Sequence, residues 1–210
     1  MKTKILGFVV AGLMLAAAPV QAAVFNVAGG TSTTINAVAD APFDNVGTGL
    51  NPASSPIQFF DNASTGSPGL TLSEGAKVTF EFLGKEAEFL NTFNVLGNTF
   101  TNGTTAPGAS FTVDLAGGAV PFTFTSVGIG RTAINNGTID SPLAFAIALL
   151  NPSTAILLFD DSGSNVDLDD MAVKVSVSQV PLPAAAWLLI SAILGLVSFS
   201  RIRRSGAQTA

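Results

Sequence analysis

Apolar and polar residues alternate along several short stretches of the chain. In Lys77-Val-Thr-Phe-Glu-Phe82, Val78, Phe80 and Phe82 share one face, with Thr79 and Glu81 on the other. Phe111, Val113 and Leu115 repeat the pattern, as do Val120, Phe122 and Phe124; Met171, Val173, Val175 and Val177 do so opposite Lys174 and Ser176. A period of two is the mark of half-buried antiparallel strands. Leu143 to Leu150 and Ala155 to Phe159 are continuous apolar runs, which suit either central strands or a short buried helix. Asn102-Gly103, Gly117-Gly118, Asn136-Gly137 and Asn151-Pro152 separate the runs as turns. The segment from Gly29 to Gly69 is poorer in pattern and predicts long loops or irregular edge strands. Short strands at this spacing predict an all-β fold, a single antiparallel β-sandwich of jelly-roll type, with Phe side chains filling the space between the sheets.

The two ends follow a different rule. Lys2 and Lys4 precede the apolar run Ile5 to Ala18, and Val20-Gln-Ala22 supplies small residues at a cleavage spacing, so residues 1–22 read as a secretory signal peptide. At the other end no charge occurs between Lys174 and Arg201, and Ala184 to Phe199 is almost wholly apolar. Pro181 and Pro183 can open a helix there but not sit inside one. From Ala184 to Ser200 a helix covers roughly 25 Å, a little short of a ~30 Å hydrocarbon core unless Leu182 and Ile202 contribute. Trp187 would lie at headgroup level, and Arg201, Arg203 and Arg204 would stay cytoplasmic with a tail at 205–210. The sandwich, 23–179, is thus expected between an N-terminal signal helix and a C-terminal transmembrane helix.

Val180-Pro-Leu-Pro-Ala-Ala-Ala-Trp187, an apolar helix and then an Arg cluster together make residues 180–204 resemble the VPLPA variant of the PEP-CTERM sorting signal of Gram-negative bacteria. The resemblance implies that Val180, Pro181, Leu182, Pro183, Arg201, Arg203 and Arg204 form a sorting motif read by exosortase, a membrane transpeptidase. With the signal peptide it implies passage through the Sec translocon and signal peptidase. It further implies a transient stage anchored in the inner membrane by the C-terminal helix, and then release to the cell surface or extracellular matrix. It implies an address and no activity for the domain that is carried.

Setting the ends aside changes the charge. The whole chain carries −5, but residues 23–179 keep only Lys77, Lys85, Arg131 and Lys174 against all fourteen acids, a formal charge of −10. Nucleic acid is excluded as a partner, because phosphate binding needs clustered Lys and Arg; divalent cations are the natural counterparts. The chain has no Cys and no His. Disulfides, thiolate nucleophiles, Ser-His-Asp triads and His- or Cys-bound zinc are therefore excluded. Carboxylate chemistry and hard-cation sites built from oxygen remain.

Two stretches carry candidate chemistry. Asp160-Asp-Ser-Gly-Ser-Asn-Val-Asp-Leu-Asp-Asp170 places five carboxylates in eleven residues around a flexible turn. A Ca²⁺ ion, with six to eight oxygen ligands at roughly 2.3–2.6 Å, would relieve their repulsion. The alternative is a solvated acidic turn. The stretch resembles the last hairpin of small β-sandwich domains in exported, surface-sorted bacterial proteins, in which an Asp-rich turn precedes the terminal strand and some bind calcium. That resemblance matches Asp167, Asp169 and Asp170 to the turn, with Asp160 and Asp161 upstream. The second stretch, Phe82 to Phe93, holds Glu86 beside Lys85 and Gly84; Glu86 would join the cluster as a calcium ligand if the two sheet ends meet. The same acids would form a glycosidase pair at a separation of ~5 to 9.5 Å. The reading that follows is an exported surface or matrix protein with a non-enzymatic structural or adhesive sandwich, stabilised by Ca²⁺ and holding exopolysaccharide. The alternative is a carboxylate-dependent carbohydrate hydrolase or a calcium-dependent glycan-binding module.

Overall fold

The computed structural model describes residues 22–39, 43–44, 46–87, 89–161, 166–178 and 192–193. Nearly all of them belong to one unit, Ala23–Gln179. The alternating stretches are strands: β5 (Ala76–Gly84), β8 (Ser110–Leu115), β10 (Phe122–Ser126) and β14 (Met171–Val177). The two continuous apolar runs are also strands, β12 (Ala144–Asn151) and β13 (Thr154–Asp160), and Asn151-Pro152 lies in the turn between them. The remaining elements are β1 (Phe25–Ala28), β2 (Thr31–Thr34), α1 (Ile35–Val38), β3 (Pro56–Phe60), β4 (Gly69–Leu72), β6 (Asn91–Val95), β7 (Asn98–Thr101), β9 (Gly118–Ala119) and β11 (Arg131–Ile134).

Pairing is antiparallel throughout these strands. One sheet has seven, in the order β2-β3-β12-β13-β14-β5-β8. A four-stranded sheet, β11-β10-β6-β7, and a three-stranded sheet, β1-β4-β9, supply the opposing apolar faces. The main core lies between them: Phe80, Phe82, Phe145 and Phe159 from the long sheet meet Phe93, Phe122 and Phe124 from the four-stranded one. Phe124 stacks on Phe159 with ring centroids 4.7 Å apart and planes 4° from parallel, and Phe122 meets Phe145 edge-on at 5.6 Å. Each such ring contributes roughly 1.5–3 kcal/mol by leaving water.

A second core explains why β12 and β13 lack alternation. Ala146, Ala148, Ile156, Leu158 and Ala172 point away from the Phe layer and pack against Ile35 of α1, Leu50 and Leu168. These strands are buried on both faces, so both sets of positions must be apolar. The cover comes from the stretch expected to be irregular: Gly29 to Gly69 in fact contributes β2, α1 and β3, which pairs with β12 through Phe60↔Phe145.

Asn135 joins the two smaller sheets. Its side-chain oxygen accepts from the Leu70 N–H at 3.0 Å, and its amide donates to the carbonyls of Leu70 at 2.9 Å and Val120 at 2.8 Å. A Cβ on Gly69 would fall 1.9 Å from the same oxygen, so only glycine fits there.

The β6–β7 hairpin turns through Leu96 and Gly97, with φ of 50° and 86°. Two consecutive positive φ values define a type I′ turn, in which Asn-Gly is favoured and a branched side chain is strained. Leu96 is exposed and loses no packing if replaced. Leu96→Asn is expected to stabilise the fold by about 0.5–1 kcal/mol, read as a higher denaturation midpoint.

The expected bracketing of the sandwich by two long helices is corrected. Among the described residues α-helix occurs at α1, four residues long, and at Ala192 and Ile193, and no helix is long and apolar enough to cross a membrane. A span needs about twenty apolar residues, whereas four rise only about 6 Å. The residues on which the signal helix and the transmembrane sorting helix were placed, 1–22 and 184–200, lie outside the described residues apart from Ala22, Ala192 and Ile193. Since no helix among the described residues could span a membrane, the transmembrane helix is withdrawn as an element of the described fold. With it go the membrane as a partner through that helix and the transient inner-membrane stage of localisation.

Candidate metal centre

Strand pairing brings the acidic residues to one end of the sandwich. β13 ends at Asp160, β14 begins at Met171 opposite Phe159, and β5 ends at Gly84 opposite Ala172. The connection after β5 and the Asp-rich connection before β14 therefore meet, and the Glu86 N–H donates to the Asp169 carbonyl at 2.9 Å. Asp160, Asp161, Asp169 and Asp170 are 0, 2, 1 and 5% exposed, whereas Glu86 is open to solvent. Burial of so many carboxylates needs positive charge or protons in return.

Two clusters result. In one, carboxylate oxygens of Glu86, Asp167 and Asp169 lie within 4.8 Å of one another; in the other, those of Asp160, Asp167 and Asp170 do. Oxygens bound to one Ca²⁺ at roughly 2.3–2.6 Å can be no more than about 5 Å apart, so each set fits around a single ion. Asp167 belongs to both clusters, and its Oδ1 is sealed from solvent with no hydrogen-bond partner among the described residues.

Backbone and side-chain donors hold the carboxylates in place. Asp169 accepts from the Asp44 N–H, and Asp170 accepts from the Asp161 N–H at 2.6 Å. Between Asp167 and Asp169, Leu168 takes a φ of 67° and is fully buried in the second core. That left-handed residue stands between two acids that meet in one cluster with Glu86, while the Leu side chain is fixed in the core below.

Asp161 enters neither cluster. Its carboxylate accepts from the Asn91 side-chain amide, which ties the start of β6 to the end of β13 across the two sheets. Asn91 and Ser126 are opposite one another on β6 and β10, both fully buried. Neither the Asn91 Oδ1 nor the Ser126 hydroxyl has a hydrogen-bond partner among the described residues. The roles of Asn91, Ser126 and Asp44 carry no local sequence signal. Val180, Pro181, Leu182, Pro183, Arg201, Arg203 and Arg204 lie outside the described residues.

The electrostatics are those of a site short of positive charge. Burial, with the neighbouring Glu86 and Asp161, raises the Asp167 carboxyl above its ordinary value. Burial pushes Asp169 up to about 7, against the Asp44 N–H that favours its ionised form, with Asp167 and Glu86 adding repulsion. Asp170 rises to about 8, first through burial and then through Asp161, Asp167 and Asp160.

Elsewhere a cleft of about 350 Å³ opens beside α1, lined by Val38, Phe59, Asp61, Pro142 and Leu143 among others. The Asp61 carboxylate there accepts from Ala63 N–H and Ser64 Oγ of its own turn, at 3.0 and 3.2 Å.

The fold and the site define a largely β-sheet protein with buried acidic clusters able to coordinate a metal ion. Compared with protein-family models, with curated proteins and with solved structures, the chain matches none.

Proposed function

We propose that the protein is a non-enzymatic, calcium-binding β-sandwich module. The observation that carries the reading is Asp167, whose carboxylate belongs to both acidic clusters at once. Two ions would share it as a bridge, one also held by Asp169 and Glu86, the other by Asp160 and Asp170. Oxygen-only donors suit Ca²⁺, and the absence of His and Cys from the sequence disfavours transition metals. Three carboxylates do not fill a sphere of six to eight oxygens, and Glu86 faces solvent. Open positions on that side would be completed by water or by an oxygen ligand from outside. Kinship with PEP-CTERM proteins is proposed on the residues Val180 to Arg204 alone, and nothing in the metal site depends on it.

Calcium titration tests this. Millimolar Ca²⁺ is expected to raise the melting temperature; at a hundred times Kd one site adds about 2.7 kcal/mol. Asp167→Asn gives a two-part signature: it removes a carboxylate whose charge is costly when buried, raising the metal-free melting temperature, and it abolishes the response to calcium. A wild-type melt indifferent to millimolar calcium sinks the reading.

A further inference from the structure

One connection, residues 85–90, carries both Glu86 of the acidic cluster and an exposed apolar pair. Phe89 and Leu90 are 50 and 45% exposed, and Val127 and Ile129 in the turn after β10 are 47 and 43% exposed. The two turns form one patch: the Val127 N–H donates to the Leu90 carbonyl at 2.9 Å, and the Phe89 ring lies over Gly128, 3.2 Å from where a Cβ would stand. The patch is joined to the acids directly. Asn91 follows Leu90 and donates to Asp161, and its fully buried Oδ1, lacking a partner, is on the amide that faces this acidic corner.

We propose that with calcium bound this end of the sandwich docks onto an anionic lipid surface, with Phe89, Leu90, Val127 and Ile129 entering the interface beside the cation. The inference rests on the calcium reading and names the outside ligand of that site. Coordination selects the occupant: two ions do not outweigh the five carboxylates that hold them, so the end stays acidic overall, but an ion with open positions beside exposed Glu86 takes a phosphate oxygen directly, whereas the metal-free end repels anionic headgroups. Area argues against a protein partner, since four half-exposed side chains offer roughly 300 Å² against the ~800 Å² per partner of a stable interface. Chemistry argues against a glycan, since the chain has no Tyr and its one Trp, Trp187, lies outside residues 23–179.

The chain lacks cysteine, so an environment-sensitive fluorophore can be placed at a single site in the full chain by Val127→Cys. The label reads the tip itself, whatever the two ends of the chain do. Calorimetry with Ca²⁺ alone is run first; if no calcium binds, the underlying reading fails and this inference falls with it. If calcium binds, mixed phosphatidylcholine and phosphatidylglycerol vesicles are expected to shift the emission to the blue with Ca²⁺ and to lose the shift in chelator. A control label from Leu150→Cys, at the opposite end of β12, stays unshifted. Calcium binding without a tip shift overturns the inference and leaves the calcium reading standing. So does an equal shift with pure phosphatidylcholine, which would remove the cation bridge. A shift without vesicles that accompanies a doubling of mass, or one produced by an anionic polysaccharide in place of vesicles, assigns the patch to a second copy or a glycan and overturns it too.

Discussion

In chelator the protein melts at a higher temperature near about pH 5 than near about pH 9, and calcium reverses that order. The sign follows from Asp169 and Asp170, whose carboxyls are pushed up to about 7 and about 8 in the fold, while in the unfolded chain Asp titrates near about 4. Between those limits the folded state holds protons that the unfolded state has released. Stability is therefore fully present below about pH 4 and drains away as pH rises through about 7 and 8. One fully linked proton is worth about 1.4 kcal/mol per pH unit; solvent reaching the cluster past exposed Glu86 reduces this, leaving an expected loss of about 2 kcal/mol across the window. Calcium replaces those protons as the compensating charge, so its affinity rises with pH over the same range. Melting curves at the two pH values, with and without calcium, decide the matter. A metal-free protein equally stable, or more stable, at the alkaline end would mean that the carboxylates do not repel one another as described.

Asn135→Ala is expected to cost about 2–3 kcal/mol. The substitution strands the buried Leu70 N–H, bonded to the Asn135 oxygen at 3.0 Å, and takes one of two donors from each of the carbonyls of Leu70 and Val120, which keep the N–H groups of Val120 and Phe122. A buried N–H left without a partner costs about 1–3 kcal/mol, and the second hydrogen bond lost at each carbonyl adds to it, less what a shift of strands or water recovers. Asn135→Asp should be as damaging, since a carboxylate can accept from Leu70 but repels the two carbonyls that the amide served. Gly69→Ala should match both, because its methyl would enter the space of the Asn135 oxygen. Urea unfolding midpoints measure all three. The calcium response of the folded fraction should be unchanged, since Asn135 follows β11 at the end away from the acidic turns. A loss below about 1 kcal/mol for Asn135→Ala would show that the clamp between the small sheets is dispensable.

Some of this architecture is legible in the sequence and some is not, for physical reasons. Val78, Phe80, Phe82 and the β14 valines alternate because one face of each strand meets the Phe layer and the other is more open. The strands β2 and β3 escape such a reading: Thr31–Thr34 is polar throughout, and in β3 Phe59 and Phe60 enter different cores. The choice between strand and buried helix for Leu143–Leu150 is settled only by the second core above it, which residues a hundred positions earlier supply. At the site, a crowd of Asp residues is visible locally. The residues that position it are not, because Asn91 reaches Asp161 across 70 positions and Asp44 reaches Asp169 across 125. Their partners are chosen by register, and register is a property of the assembled sheets.

Leu168 sets the order in which the site can be built. Its side chain is locked into the second core while its backbone holds the left-handed turn between Asp167 and Asp169. The scaffold under the ligands is thus finished when the hydrophobic layers close, and an ion has only to arrive. Capture should then run at the pace of ion diffusion and dehydration rather than of chain folding. Removing the ion should loosen the rim of the cage and leave amide exchange in β12 and β13 almost untouched.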